Sequence, residues 1–304
     1  MTTLLFVLGM SRTGTSALTR VLSLSGAALP PGMIGAARGN PRGFWEPRQA
    51  HYLNEKILRR HGSAFLDPTL RLHEEPADSR DIAEINAYLT SLPPKDLYVI
   101  KSLQVTPIAR MWFEAARIAD YNVAAVVAVR HPHEVIKSAT AMAPAVTPDL
   151  AAALWLKYSL LAERYTRGTP REFVEYSFLL EDWHREVKRV SAALGVDLNP
   201  DAIAIDEFLA ADECHQQTDL PACPEPFGTD WLSTAYHNLH LAAGGGTWNQ
   251  HELDRVFCDY RASQQRLRTA LNNYQRISKE QRFIPAKLIL ETAALAHRRK
   301  GTWA

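Results

Sequence analysis

The hydrophobic pattern at the start of the chain predicts a strand, a polar turn and a helix. Residues 4–8 form an apolar run that is short and branched enough for a buried parallel strand. The run stops at Gly9, and apolar residues then recur at helical spacing through Leu18, Val21 and Leu22. We therefore expect a strand whose carboxyl end leads through a turn directly into the first helix.

Three further apolar runs predict the other strands of the same sheet. They cover Leu97–Ile100, Val123–Val129 and Glu172–Tyr176, and helical spacing fills the segments between them. Strands that alternate with helices form parallel sheets covered on both faces. The sequence thus predicts an α/β fold, a P-loop-like three-layer sandwich with a central parallel sheet, helices on both faces and a helical C-terminal extension.

The last third of the chain has a different character. Residues 206–250 show no clear period, and residues 252–299 have the pattern of two helices. We expect a single domain over residues 1–304, with an α/β core over residues 1–200 and an extension over residues 201–304.

The turn after the first strand has the composition of an oxyanion site. Arg12 supplies a fixed positive charge, and Thr13, Thr15 and Ser16 supply hydroxyl groups around Gly14. Backbone N–H groups and the positive end of the helix dipole point at the same place. The alternative is an ordinary strand–helix connection with an N-cap. The turn has neither the Gly-Lys-Ser/Thr ending of a Walker A loop nor a G-x-G-x-x-G dinucleotide fingerprint.

A second anion site is predicted at Arg130, where the most apolar strand ends. Ligands of open parallel sheets bind outside the carboxyl ends of the strands, so Arg130 and Arg12 could line one crevice. Ser138, two helical turns beyond Pro132, could add a hydroxyl group near Arg130. Alternatively, Arg130 forms a structural ion pair and Ser138 is a solvated helix residue. With both sites in one fold, a ligand with two separated anionic groups is the better interpretation.

Composition narrows the class of protein. The chain has 34 Lys and Arg against 33 Asp and Glu, and this net charge of +1 argues against a strongly basic nucleic-acid binder. Cys214, Cys223 and Cys258 form no CxxC pair and indicate free thiols in a reducing compartment. The N-terminal apolar run is too short for a signal peptide or a membrane span. We expect a cytoplasmic protein with no membrane span, no nucleic-acid partner and no metal.

The segments GMSRTGTSALTRVL and VVAVRHPHEVIKS resemble the nucleotide-binding segments of sulfotransferases that use 3'-phosphoadenosine 5'-phosphosulfate (PAPS). In that family, a turn like R-[ST]-G-T-[ST] holds the 5'-phosphosulfate. The pattern R-x-P-x-x-x-x-x-S, matched here by Arg130, Pro132 and Ser138, holds the 3'-phosphate. The Arg in the turn resembles the bacterial and Golgi-type carbohydrate and tyrosyl-protein branches more than the cytosolic phenol and steroid branch.

The resemblance covers about residues 1–200 and has two departures. His131 stands where the family usually has Asp. The Arg-Lys-Gly-rich loop that the cytosolic branch places near its C-terminus on the 3'-phosphate has no counterpart, since Gly244-Gly245-Gly246 lacks basic neighbours.

The resemblance implies that Glu46 is the catalytic base. Tyrosyl-protein and some carbohydrate sulfotransferases have a catalytic Glu in this loop, and desolvation beside two aromatic residues would raise its pKa. The alternative is an exposed loop carboxylate paired with Arg42 or Arg48. His51, one helical turn further on, is the rival base.

Lys101 ends a strand in the segment KSLQVTP, as the catalytic Lys of the family does, and could neutralise the bridging oxygen of the leaving group. The alternative is a surface Lys at a strand terminus. Tyr176 resembles a family position near the nucleotide. The predicted catalytic residues are then Glu46, Lys101 and Arg12, and the predicted nucleotide-binding residues are Arg12, Thr13, Gly14, Thr15, Ser16, Arg130, Ser138 and Tyr176.

The function that the resemblance implies is sulfuryl transfer from PAPS, without a metal, to a hydroxyl of a carbohydrate, glycolipid or small metabolite. One alternative is a P-loop-like nucleotide phosphotransferase, against which the missing Lys after Gly14 weighs. Another is a non-catalytic nucleotide-binding interaction module. The helices from Glu252 onward could cap the acceptor site or form a homodimer contact.

Overall fold

The computed structural model describes residues 2–36, 40, 42–143, 145–210 and 222–264. In this part of the chain, four parallel strands form one sheet in the order β2-β1-β3-β4. The middle strands are apolar on both faces, and residues 4–8 are all buried. The strands are β1 (Thr3–Leu8), β2 (Leu97–Lys101), β3 (Asn122–Val129) and β4 (Arg171–Glu175).

Helices fill the connections between the strands and follow the last one. A single 3₁₀ turn, Thr106–Ile108, precedes α5, and residues 250–257 are also helical. The helices are α1 (Thr15–Leu24), α2 (Arg48–Arg60), α3 (Arg71–Glu74), α4 (Ser79–Thr90), α5 (Ala109–Ile118), α6 (Pro132–Met142), α7 (Pro148–Tyr165), α8 (Tyr176–Glu181), α9 (Trp183–Leu194), α10 (Ala202–Ala210) and α11 (Trp231–Ala243).

The helices cover both faces of the sheet, which confirms the predicted three-layer α/β fold. On one face, α1, α8, α9 and α10 pack against alternate strand residues such as Val7 and Val126. On the other face, Phe6 contacts the rings of Trp112 and Phe113 on α5. Alternation along β1 therefore sends its side chains into two separate apolar layers.

The segment around Tyr176 differs from the prediction. The fourth strand ends at Glu175, and Tyr176 is the first residue of α8. Residues 176–194 form two helices, because Asp182 ends α8 and caps α9 by accepting a hydrogen bond from the Arg185 N–H at 3.0 Å. Short acidic side chains favour this capping position over a helix interior.

Residues 206–250 show no clear period in the sequence, but the end of α10 and all of α11 lie in this range. Polar side chains interrupt the apolar pattern of α11, since Asn238 is buried and the partly buried Tyr236 and His240 make polar contacts. Tyr236 and His240 both donate to the buried carboxylate of Glu175, at 2.7 and 2.6 Å. These bonds attach α11 to the carboxyl end of β4, and Asn238 is buried on the same helix.

The chain divides into two compact units, Met1–Phe257 and Cys258–Ala304. In the second unit the structure describes residues 258–264, which are helical. The rest of the two predicted C-terminal helices lies outside the described residues, and so does Cys214. Cys223 and Cys258 are free thiols, as predicted. The single domain with a boundary near residue 200 stays a prediction.

The sheet order sets the position of the site. β1 lies between β2 and β3, so the turn after β1 has a strand end on either side. Lys101 is the last residue of β2 and is paired in register with Val7. Arg130 follows β3, and Tyr176 follows β4. Four strand ends thus bring together groups that lie far apart in the sequence, at the edge where parallel sheets bind ligands.

Candidate functional site

The turn between β1 and α1 has an unusual backbone conformation. Gly9, Arg12 and Gly14 have positive φ angles of 145°, 73° and 86°. The Gly9 N–H donates to Thr106 Oγ1 at 3.1 Å, which fixes the start of the turn to the segment after β2. Thr13 Oγ1 donates to the Met10 carbonyl at 2.8 Å and closes the turn from inside.

The first turn of α1 is not capped by a side chain. Its N-cap residue is Gly14, and no acidic residue lies in this turn. The first N–H groups of a helix have no partner within the helix and carry a partial positive charge. Thr13 and Thr15 are buried, so their side chains support the turn. The alternative of an ordinary connection with a side-chain N-cap does not apply here.

Tyr176 lies against the turn, at the position the sequence suggested. A Cβ on residue 14 would collide with the Tyr176 ring, so only Gly combines the required φ with this contact. The guanidinium carbon of Arg130 lies 4.6 Å from the centre of the same ring. Tyr176 therefore packs between the first turn of α1 and the Arg that follows β3.

Arg12, Arg130 and Ser138 come together, but not in the predicted pairs. Arg12 Nε donates to Ser138 Oγ at 2.8 Å, whereas the sequence placed Ser138 beside Arg130. Arg130 Nη1 donates to the Arg12 carbonyl at 3.1 Å. Arg130 Nε also pairs with Glu134 at 3.1 Å, which is the structural ion pair of the alternative interpretation. The two predicted anion segments thus form one continuous cluster.

His131 caps α6. Its Nδ1 accepts a hydrogen bond from the His133 N–H at 3.3 Å, the task an Asp side chain performs at an N-cap. Its ring packs edge-on against Tyr236 of α11, with centroids 4.7 Å apart. His131 therefore both caps α6 and contacts α11 through its ring.

Lys101 and Glu46 form a buried ion pair beside the turn. Lys101 Nζ donates to Glu46 Oε1 at 2.6 Å, to the Phe44 carbonyl at 3.1 Å and to Ser16 Oγ at 3.2 Å. Lys101 is 1% exposed and Glu46 is 3% exposed. The alternatives of a surface Lys and an exposed loop carboxylate are therefore both wrong. Ser16 links this pair to the first turn of α1.

The expected rise in the pKa of Glu46 is also wrong for this state of the protein. Burial alone would raise the pKa, but the Lys101 ammonium and the neighbouring His51 outweigh burial and lower it to about 2. Burial in turn lowers the pKa of Lys101, and the Glu46 carboxylate opposes that change. The sequence indicated that Glu46 has apolar neighbours, but it did not indicate that Lys101 pairs with the Glu46 carboxylate.

His51, the rival base, lies on the other side of the Glu46 carboxylate. Its Nδ1 is 3.7 Å from Glu46 Oε2, and its side chain is 33% exposed. The Glu46 carboxylate raises the pKa of His51, and burial partly opposes this. His51 Nδ1 makes no hydrogen bond with any described residue. Both candidate bases therefore lie in one cluster with Lys101.

An apolar pocket with a volume of about 130 Å³ borders the turn. Met10 and Ser11 form its wall on the turn side, Ala139 and Met142 belong to α6, and Tyr158 belongs to α7. Tyr158 is buried, and its place in a pocket wall is not visible in the sequence. Helical spacing reveals that a residue faces inward, and it does not reveal a gap beside it.

Within the described residues, one set of side chains has the spacing of a metal site: His61, Asp78 and Asp81. Arg60 and His61 already bind the two carboxylate oxygens of Asp81. These residues lie outside the cluster of Arg12, Lys101 and Arg130.

Comparison with known proteins gives little. Neither protein-family models nor curated protein sequences match the chain. Among solved structures, the chain is similar to the sulfotransferase domain from the Synechococcus PCC 7002 olefin synthase, at 18% identity and a TM-score of 0.45. The match covers 79% of this chain and 96% of that domain. In the described part of the chain, no helix is both long and apolar enough to cross a membrane.

Proposed function

We propose that this protein is a sulfotransferase that moves a sulfuryl group from PAPS to an acceptor hydroxyl. The observation that supports it most is the convergence of Arg12, Lys101 and Arg130 on the uncapped first turn of α1. Lys101 reaches Ser16 Oγ at 3.2 Å, and Arg130 reaches the Arg12 carbonyl at 3.1 Å. Three cations from three strand ends around a helix N-terminus suit a ligand with several anionic groups.

The residues fit the two phosphate positions of the nucleotide unequally. The turn offers backbone N–H groups, Arg12 and Ser16, with no acidic residue in the first turn of α1 to compete. The other position has Arg130, Ser138 and Tyr176, but Glu134 already pairs with Arg130. We propose that the 5'-phosphosulfate binds at the turn, and that the 3'-phosphate shares Arg130 with Glu134.

Bound PAPS would supply an activated sulfuryl group and, as leaving group, a nucleotide phosphate. Catalysis of such a transfer depends on position, on stabilising charge at the leaving oxygen and on removing the acceptor proton. Arg12 and Lys101 are the cations for the first two tasks. Glu46 is ionised, the form that can accept a proton, but with a pKa near 2 it is a weak base while Lys101 holds it.

Lys101 and Glu46 therefore act as a coupled pair in this proposal. When Lys101 turns toward an anionic leaving group, its attraction for Glu46 weakens, and burial then raises the pKa of the carboxylate. Lys101 would stabilise the leaving oxygen at the same moment that Glu46 becomes a better base. His51 remains the alternative base. Turnover measured in Glu46→Gln and in His51→Gln separates the two assignments.

The first test is calorimetry with 3'-phosphoadenosine 5'-phosphate. Binding should be lost in Arg12→Ala and Arg130→Ala and kept in Arg117→Ala, a control on the exposed face of α5. Glu46→Gln should keep nucleotide binding and reduce turnover. If the wild-type protein binds no nucleotide, with or without an acceptor, the proposal fails.

The phosphotransferase alternative is tested with the same protein. Phosphoryl transfer from nucleotides depends on Mg²⁺, whereas the proposed transfer of radiolabelled sulfate from PAPS continues in excess EDTA. A hydroxyl-bearing acceptor, the cytoplasmic location and a homodimer remain predictions from the sequence.

A further inference from the structure

The apolar pocket beside the turn has walls with little capacity for hydrogen bonds. Of its ten lining residues, only Ser11 and Tyr158 have a hydroxyl group. Tyr158 donates its hydroxyl to the Phe65 carbonyl at 3.0 Å, inside the wall. A sugar ring placed here would bury several hydroxyls without partners, at about 1–3 kcal/mol for each. The walls therefore favour an apolar occupant.

The pocket lies next to the proposed transfer site. Met10 and Ser11 belong both to its wall and to the turn that carries Arg12. Arg12 Nη1 lies 3.7 Å from Met142 Sδ on the opposite wall, while Arg12 Nε is bound to Ser138. A group held in this pocket would thus project its substituent toward the Arg12 guanidinium.

The size and opening of the pocket limit what it can hold. Its volume of about 130 Å³ is close to that of a cavity of about 150 Å³ that holds one benzene molecule. Leu66 and Met142 line it and are 44% and 43% exposed. They form an apolar rim through which a ligand can enter from solvent.

We propose that this pocket binds the apolar part of the acceptor, and that the acceptor is an alcohol built on one aromatic ring or a compact alkyl group. The inference rests on the proposed function, since it names the acceptor class for that reaction. It narrows the acceptors that the sequence suggested, a carbohydrate, a glycolipid or a small metabolite, to a small apolar alcohol.

The variant Ala139→Leu tests the pocket directly. Ala139 lies on α6 and lines the pocket, so the added isopropyl group should fill part of it. Ala141→Leu makes the same change at an exposed position of the same helix and serves as the matched control. Nucleotide binding should be unchanged in both. With benzyl alcohol as acceptor, kcat/KM should fall about tenfold or more in Ala139→Leu and stay unchanged in Ala141→Leu.

The variant Met142→Ala tests the size limit of the pocket by enlarging it, whereas Ala139→Leu fills it. Shortening a rim side chain should increase the preference for naphthylmethanol over benzyl alcohol, a change that simple destabilisation would not produce. Glucose and N-acetylglucosamine should be poor acceptors for every variant. Faster sulfation of either sugar than of benzyl alcohol by the wild type would overturn the inference, and so would unchanged turnover in Ala139→Leu.

Direct binding separates this inference from the proposed function. Saturation-transfer NMR should detect benzyl alcohol on the wild-type protein and on Ala141→Leu without nucleotide, and should lose the signal in Ala139→Leu. If nucleotide fails to bind while benzyl alcohol still binds in this pattern, the sulfotransferase proposal falls and the apolar site stands. If benzyl alcohol does not bind the wild type, or binds Ala139→Leu equally well, the apolar site is refuted even if the nucleotide binds.

Discussion

The buried ion pair of Lys101 and Glu46 should make the stability of the protein depend on pH in acid. The fold lowers the pKa of Glu46 from its ordinary value of 4.5 to about 2. At 1.36 kcal/mol for each pKa unit, this corresponds to a stabilisation of about 3 kcal/mol. Because the folded state favours the ionised carboxylate, the stabilisation is complete above about pH 4.5 and is lost as the pH falls toward 2.

A double-mutant cycle isolates this contribution from other carboxylates. Glu46→Gln and Lys101→Met each leave a buried group without its partner and should lower the free energy of unfolding by about 3–5 kcal/mol at neutral pH. The double variant should be more stable than the sum of the two losses suggests. The resulting coupling energy should be favourable and on the order of a few kcal/mol near pH 7.

Urea denaturation measured at two pH values provides the assay. One pH unit below the unfolded pKa, near pH 3.5, the coupling energy should have fallen by about 1.4 kcal/mol. If the free energy of unfolding falls equally in acid for the wild type and the double variant, the fall comes from other titrating groups. A coupling energy below about 0.5 kcal/mol at pH 7, or one that does not change with pH, would refute the assignment of the low pKa to Lys101.

Three further predictions concern stability. Gly14→Ala should lower the free energy of unfolding by about 1–3 kcal/mol and weaken nucleotide binding, because position 14 has a positive φ and faces the Tyr176 ring; unchanged urea denaturation would contradict this. Burial lowers the pKa of Lys157 to about 8, so wild-type stability should rise between pH 8 and 10.5, and thermal denaturation should show a smaller rise in Lys157→Met. Thr147 caps α7 by accepting from the Leu150 N–H at 3.3 Å, so calorimetric unfolding of Thr147→Ala should show a loss of about 1 kcal/mol.

The sequence predicted well the strands and turns that carry the site, because these elements depend on local patterns. The apolar runs located the strands of the sheet, and their alternation with helices predicted that the strands run parallel. The positions of Arg12, Arg130 and Tyr176 at strand ends could therefore be predicted to within a residue or two. The start of α7 likewise depends on adjacent residues, with Thr147 as the N-cap and Pro148 as the first helical residue.

The partners of the charged groups could not be predicted in the same way. Glu46 lies 55 positions from Lys101 in the sequence, and only the packed fold brings the two within 2.6 Å. Desolvation and pairing change the pKa of a carboxylate in opposite directions, so the sign of the change depends on this contact. The same reasoning applies to Ser138, whose partner Arg12 is 126 positions away. The pocket was missed because no single segment forms it.

The pairing of Lys101 with Val7 has a further consequence for variation in this protein. In a strand, a shift of one residue turns every side chain to the opposite face. One residue inserted into or deleted from β2 would therefore remove Lys101 from Ser16 and Glu46 while leaving the sheet able to form. A change of length in the connection from α1 to β2, such as near residues 62–78, leaves this register intact. Related chains should thus tolerate changes of length around the acceptor pocket, while the short strand that ends at Lys101 keeps its length.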